Sequence, residues 1–238
     1  MIDTYLFDLY GTLVDIRTDE SMPRLWARMA LYFSMQGAAY GPEELHAAYI
    51  SAVAEAADQR SKERPNVIKA HIEPEIRSAF SALYAGKGVP VNEQIIEDTA
   101  LIFRTLSLRH IRLYPKAARV LRTLRERGSG VYLLSNAQSV FTMPELRKLG
   151  LLPLFDGIVL SSDAGVKKPD KAIFEHILSK YDLRPEECLM IGNDGEADIL
   201  GAAGVGICSR YIHTKQSPPR PEKLPDTCRE ISSLQELL

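Results

Sequence analysis

Cysteine is scarce in this chain of 238 residues: Cys188, Cys208 and Cys228 form no close pair and no ligand spacing. That excludes a disulfide framework and any cysteine-held metal of recognisable pattern. Cys188 and Cys208 lie in apolar, strand-like runs where a free thiol acts as a small core residue, which fits a reducing cytoplasm. An excess of positive charge is also missing. With 29 Lys and Arg against 31 Asp and Glu, the net charge is -2, and the chain has no basic footprint for nucleic acid or an anionic membrane. No apolar run is long enough to cross a bilayer, and the first residues carry Asp3 and Asp8 in place of a basic leader. The five histidines share no ligand spacing, the single tryptophan, Trp26, reads as core, and there is no internal repeat. Small-molecule chemistry is what these absences leave.

Hydrophobic residues make up 45% of the chain, enough for one sizeable core and a smaller second unit. The most informative segment is Tyr5-Leu6-Phe7-Asp8-Leu9-Tyr10-Gly11-Thr12-Leu13, an apolar strand that runs into a carboxylate, a glycine turn and a hydroxyl. A carboxylate at the carboxyl end of a central parallel strand sits where open α/β sheets do their chemistry. Asp-x-x-Gly is common turn chemistry too, so the segment gains weight only from its company. Val131 to Leu134 leads into Ser135-Asn136, Gly157 to Leu160 leads through a loop to Lys168-Pro169, and Cys188 to Ile191 ends at Gly192-Asn193-Asp194. Four strands thus present Asp, Ser, Lys and Asp at one end.

This set resembles the four motifs of the haloacid dehalogenase-like hydrolase superfamily. Asp8 with Gly11-Thr12-Leu13 matches the first motif, Ser135 the second, Lys168 before Pro169 the third, and Asp194 with Asp198 the fourth. The similarity covers residues 1 to 14 and about 108 to 238. It implies an α/β fold, a doubly wound parallel Rossmann-like sheet, formed by 1–14 and 108–238. Residues 15–107, rich in Ala, Leu and Glu at helical spacing and punctuated by Gly and Pro, are expected as an inserted all-helical cap. Helices are expected over Ser139 to Leu149, Asp170 to Tyr181 and Ala197 to Ala203, and Gln216 to Pro225, with four prolines, as an extended loop.

The resemblance also assigns roles. Asp8 is the expected nucleophile, Thr12 the group that orients it, and Ser135, Asn136 and Lys168 the holders of the transferring group. A dianionic phosphate and a carboxylate repel, so Mg²⁺ is the expected cofactor, held by Asp8, the main-chain carbonyl of Tyr10, Asp194 and Asp198. Asp194 also reads as a helix cap. Tyr10 is the departure: the superfamily's phosphatases carry a second aspartate there as general acid and base, and a phenol with a pKa near 10 does not inherit that role at neutral pH.

Two reactions follow from the resemblance. The first is a Mg²⁺-dependent phosphatase for a small phosphorylated metabolite, working through an aspartyl-phosphate. The second is an L-2-haloacid dehalogenase, whose branch resembles Asp-x-Tyr-Gly-Thr at the first motif but places an arginine in the early cap, where Met29 to Gln59 holds neither arginine nor lysine. Arg24 and Arg28 are the nearby substitutes. A non-catalytic module binding a phosphorylated ligand is the third reading. Substrate identity and oligomeric state are not encoded in any motif.

Overall fold

The computed structural model describes residues 2–238. Six parallel strands form the main sheet in the order β5-β4-β1-β6-β7-β8. They are β1 (Thr4–Phe7), β4 (Gly130–Ser135), β5 (Gly157–Leu160), β6 (Cys188–Gly192), β7 (Cys208–Ile212) and β8 (Cys228–Ile231). Strands buried on both faces need continuous apolar sequence. β1 and β6, the innermost pair, supply it as Tyr-Leu-Phe and Cys-Leu-Met-Ile. The sheet order reverses between β1 and β4 on one side and β6 on the other, so the loops after these strands open into the crevice where such sheets bind ligands.

Helices cover both faces. α5 (Ala117–Glu126) buries Ala117, Val120, Leu121 and Leu124 on one side. α6 (Ser139–Lys148), α7 (Ser161–Ala164) and α8 (Lys171–Tyr181) follow the next strands. Asp170 caps α8 by accepting from the Ala172 amide at 3.0 Å. The helix expected at Ala197 to Ala203 begins two residues early, as a π-helical turn over Gly195–Leu200 that runs into α9 (Gly201–Ala203). Tyr114-Pro115 leads to α5 through Lys116, which takes a left-handed conformation, so the helix starts at Ala117.

Between β1 and β4 the chain makes a two-stranded antiparallel ribbon, β2 (Val14–Thr18) with β3 (Leu108–Leu113), and inserts four helices between those strands. These are α1 (Pro23–Met35), α2 (Pro42–Glu63), α3 (Ile76–Ala85) and α4 (Glu93–Ser107). The helices bury their own cluster, with Leu25, Trp26, Phe33, Tyr49, Phe80 and Phe103 at its centre. Trp26 is 4% exposed and stacks on His46, as a core residue does.

The helical unit is fastened to the sheet unit along one side. Phe141 of α6 packs into its apolar cluster. Ile72 and Val166 form an antiparallel bridge, Lys167 N donates to His71 O at 2.9 Å, and Glu73 N donates to Gly165 O at 3.3 Å. Gln138, just ahead of α6, donates to Glu73 Oε1 at 2.6 Å and Pro74 O at 2.8 Å. Segment 71–74 is therefore laid directly against the loop that ends at Lys168.

Candidate active site

Asp8 emerges from the end of β1 with its amide bonded to Ile191 O at 2.9 Å, so two neighbouring strands fix its backbone. Gly11 then turns the chain at φ 88, and a Cβ there would collide with the Asn193 side chain. Glycine is required on both counts. The turn returns Thr12 toward Asp8. The Thr12 hydroxyl lies 3.0 Å from Asp8 Oδ2 and 3.0 Å from Asn193 Oδ1, one proton between two acceptors.

Lys168 is buried and all three of its ammonium donors are used: Asp8 Oδ1 at 2.9 Å, Leu134 O at 2.8 Å and Asp198 Oδ1 at 2.6 Å. Burial alone lowers the pKa of an ammonium, but the adjacent Asp198 and Asp8 together raise that of Lys168 above its ordinary value. Burial pushes the Asp198 carboxyl up, toward about 7, against the opposing pull of Lys168. Geometry identifies the ionised pair as the resting arrangement, because Asp198 also accepts the Asp194 amide on Oδ2 at 3.0 Å. A Cβ on Gly192 would strike the Asp198 carboxylate, so the end of β6 has to be glycine for that carboxylate to sit here.

Ser135 donates to Asp8 Oδ1 at 3.2 Å from the end of β4. Asn136 has a different task from the one its position suggested. Its side chain clasps the main chain of Lys168, donating to Lys168 O at 2.9 Å and accepting from Lys168 N at 2.8 Å. Asp194 accepts the Glu196 and Ala197 amides on Oδ1, both at 2.9 Å, which caps the π-helical turn. Its Oδ2 has no hydrogen-bond partner among the described residues.

These groups line one polar pocket of about 150 Å³, bounded by Asp8, Tyr10, Ser135, Lys168, Asn193 and Asp194, with Gln216 and Pro218 on its outer side. The structure thus brings Asp8, Tyr10, Thr12, Ser135, Asn136, Lys168, Asp194 and Asp198 into one neighbourhood. Asp198, expected among the metal ligands, spends both carboxylate oxygens on Lys168 and the Asp194 amide. Among the described residues no group of three or more His, Cys, Asp and Glu side chains is arranged to hold a metal. Asp8 and Asp194, together with the carbonyl expected from Tyr10, would make an oxygen-only donor set. Such a set fits Mg²⁺, which takes one or two carboxylates and leaves the remaining positions to water and substrate.

Tyr10 borders the pocket, while its hydroxyl is bonded to residues outside the lining. The phenol donates to Glu145 Oε2 and lies 2.9 Å from Thr142 Oγ1, both on α6. Arg104 of α4 donates to the other Glu145 oxygen at 2.6 Å, and its guanidinium stands 5.9 Å from the Tyr10 ring. Burial and then the Glu145 charge raise the Tyr10 pKa far above its ordinary value, so the phenol stays protonated. The arginines weighed from the sequence, Arg24 and Arg28, do not line this pocket.

Arg104, Thr142 and Glu145 carried no signal in the sequence. Asn193 was masked by its acidic neighbour. Gln216 was legible only as part of a loop. Asp15, Glu73 and Glu75 are each bonded: Asp15 to His110 and Arg112, Glu73 to Gln138, and Glu75 to Arg77.

A parallel sheet with a helical insertion, presenting Asp, Ser, Lys and Asp at one end, defines a class of hydrolases. The chain belongs to that class, the haloacid dehalogenase-like hydrolases, whose family pattern it matches over residues 2–206. It is 31% identical over 145 residues to a phosphoserine phosphatase of Thermus thermophilus, covering 61% of this chain and 57% of the relative. It is 26% identical over 160 residues to a glyceraldehyde 3-phosphate phosphatase of Pyrococcus abyssi, covering 67% of each. The first of the curated relatives are therefore matched over about half of their length. Among solved structures, YfnB of Bacillus subtilis, a HAD-hydrolase bound to magnesium, aligns with TM-score 0.56 at 25% identity, covering 99% of this chain and 96% of that one. A 2-haloacid dehalogenase of Pseudomonas syringae aligns with TM-score 0.64 at 22% identity, over 100% and 96%, and at that identity the likeness is one of fold.

Proposed function

We propose that this hydrolase is a Mg²⁺-dependent phosphatase that acts on a small phosphorylated metabolite through an aspartyl-phosphate at Asp8, with residues 15–107 as the cap over the pocket. The observation that carries this reading is the second carboxylate in the pocket. Asp194 faces the same space as Asp8 and keeps one oxygen free of protein donors. Asp8, Asp194 and Asp198 share one cation in the pocket, Lys168, and the remaining negative charge would repel an anionic substrate, whereas a hard cation between Asp8 and Asp194 makes an anion welcome. Asp8, Asp194 and the Tyr10 carbonyl would hold Mg²⁺, which supplies charge neutralisation and orientation of the phosphoryl oxygens.

The side chains divide the remaining work. Thr12, Ser135 and Lys168 hold Asp8 in one rotamer, with both carboxylate oxygens engaged. An Asp8 carboxylate oxygen attacks phosphorus and the bond to the leaving oxygen breaks, giving the aspartyl-phosphate. Water then cleaves that adduct, releasing inorganic phosphate and restoring the carboxylate. Asp198 acts through Lys168 as a positioning residue, and Asn136 holds the lysine's main chain.

Among the described residues no acid stands ready to protonate the leaving oxygen, because the Tyr10 hydroxyl keeps its proton and directs it in a hydrogen bond to Glu145. The reading therefore favours substrates that depart as stable anions, acyl and aryl phosphates, over alkyl phosphates such as sugar phosphates. A general acid contributes about 10²- to 10⁴-fold, and that is the expected disadvantage of the alkyl esters.

Tyr10 itself favours a second reading, halide displacement from a 2-haloacid, since that step needs neither leaving-group protonation nor metal. One assay separates the two. Aryl, acyl and sugar phosphates and 2-chloropropionate are tested with Mg²⁺ and with chelator, using the native chain and Asp8→Asn. Phosphate release that requires Mg²⁺ and vanishes in Asp8→Asn supports the phosphatase. Chelator-resistant chloride release overturns it.

A further inference from the structure

A second cavity, of about 750 Å³, opens beside the catalytic loop, between the β2–β3 ribbon, the end of β7 and the carboxyl-terminal turn. Its volume falls within the range of small-molecule sites, roughly 300 to 1,000 Å³, which are mostly apolar with a few polar groups that fix orientation. The floor is apolar, made by Leu113, Ile212 and Leu234. Asp15, the one acidic residue on the wall, is paired with Arg112 at 2.7 Å and lies 3.0 Å from His110 Nε2. Lys215 also lines the cavity, is exposed, and forms no ion pair or hydrogen bond among the described residues. The Tyr114 hydroxyl is likewise without a partner there, and the His213 ring uses only Nδ1, toward Tyr211. An apolar floor under an uncommitted ammonium, a phenol and an imidazole nitrogen is a recognition surface with one sign.

We propose that this cavity is a second ligand site, for an organic anion with an apolar body whose acidic group meets Lys215. The site does not rest on the phosphatase reading, yet it touches the catalytic pocket through shared parts. Thr214 Oγ1 donates to Gly11 O at 2.9 Å, and Gln216, which lines the catalytic pocket, donates to Asp15 at 3.0 Å. An occupant in contact with Lys215 bears on the same turn.

The test uses the full chain and 8-anilinonaphthalene-1-sulfonate, a flat apolar anion that fluoresces when bound. Titration is expected to saturate at one equivalent. Lys215→Glu, at an exposed and unpaired position, is expected to weaken binding by about tenfold or more, because attraction becomes repulsion at close range. Met35→Ser, which removes the side chain most exposed among the large hydrophobics, at 75%, controls for adventitious binding to α1. Absence of saturable binding, equal affinity in Lys215→Glu, or loss of binding in Met35→Ser would each overturn the proposal.

Discussion

Removing the Glu145 charge while keeping its shape, as Glu145→Gln does, strips the partner from Arg104. The Glu145 side chain is 8% exposed and that of Arg104 15%, so the pair is shielded from water and the orphaned guanidinium stays where it is. Breaking a buried pair from one side costs about 3–5 kcal/mol, since an uncompensated charge is left behind. For a chain of this size each kcal/mol lowers the melting temperature by about 2–4 °C, so the drop should be about 6–20 °C. Scanning calorimetry reads it directly. Arg104→Met in the same chain should recover most of the loss, because the stranded charge goes with it, and the cycle should show coupling of about 0.5–3 kcal/mol. A loss below about 1 kcal/mol in Glu145→Gln, or strict additivity of the two changes, would refute the claim that α4 and α6 are held together through this pair.

Three further outcomes follow from the geometry. Tyr10→Phe removes a hydroxyl that is hydrogen-bonded to Glu145, so turnover of an aryl phosphate should stay within about tenfold of the native rate; a loss of about 10²-fold or more in kcat would identify Tyr10 as an acid. Burial holds the Glu73 carboxyl above its ordinary value of 4.5, with Lys167 and Arg60 opposing, so its contribution to stability is complete below that value and is lost as pH rises through the raised one. Glu73→Gln should accordingly melt higher than the native chain at mildly alkaline pH and gain nothing in acid, and an equal gain at both would contradict this. Lys168→Met leaves Asp8 and Asp198 facing each other without a cation, so phosphatase activity should vanish and the melting temperature fall; retained activity would exclude Lys168 from the site.

The core strands were legible because a buried parallel strand has to be a continuous apolar run, and Tyr5 to Phe7, Val131 to Leu134 and Cys188 to Ile191 have no other reading. Asp8, Ser135 and Asp194 drew attention because each closely follows such a run, and Lys168 and Asp198 because their motifs resemble those of the superfamily. The β2–β3 ribbon escaped detection. Val-Asp-Ile-Arg-Thr and Leu-Arg-His-Ile-Arg-Leu are short and half-polar, and they pair across the four-helix insertion, a contact that local periodicity does not register. The same distance hid Arg104 and Glu145, ordinary helix charges in sequence that the fold turns toward one phenol. Asp198 illustrates a subtler limit: its motif sets it beside Asp194 in the sequence, while only the fold shows that Lys168 takes its carboxylate.

Rapid acid quench of the native chain mixed with an aryl phosphate and Mg²⁺, followed by peptide mass analysis, tests the account at its centre. A phosphoryl adduct on the peptide that carries Asp8, absent when chelator replaces Mg²⁺, is the predicted result. An alkyl ester on Asp8 after exposure to 2-chloropropionate in chelator, with no phosphoryl adduct under any condition, would contradict it.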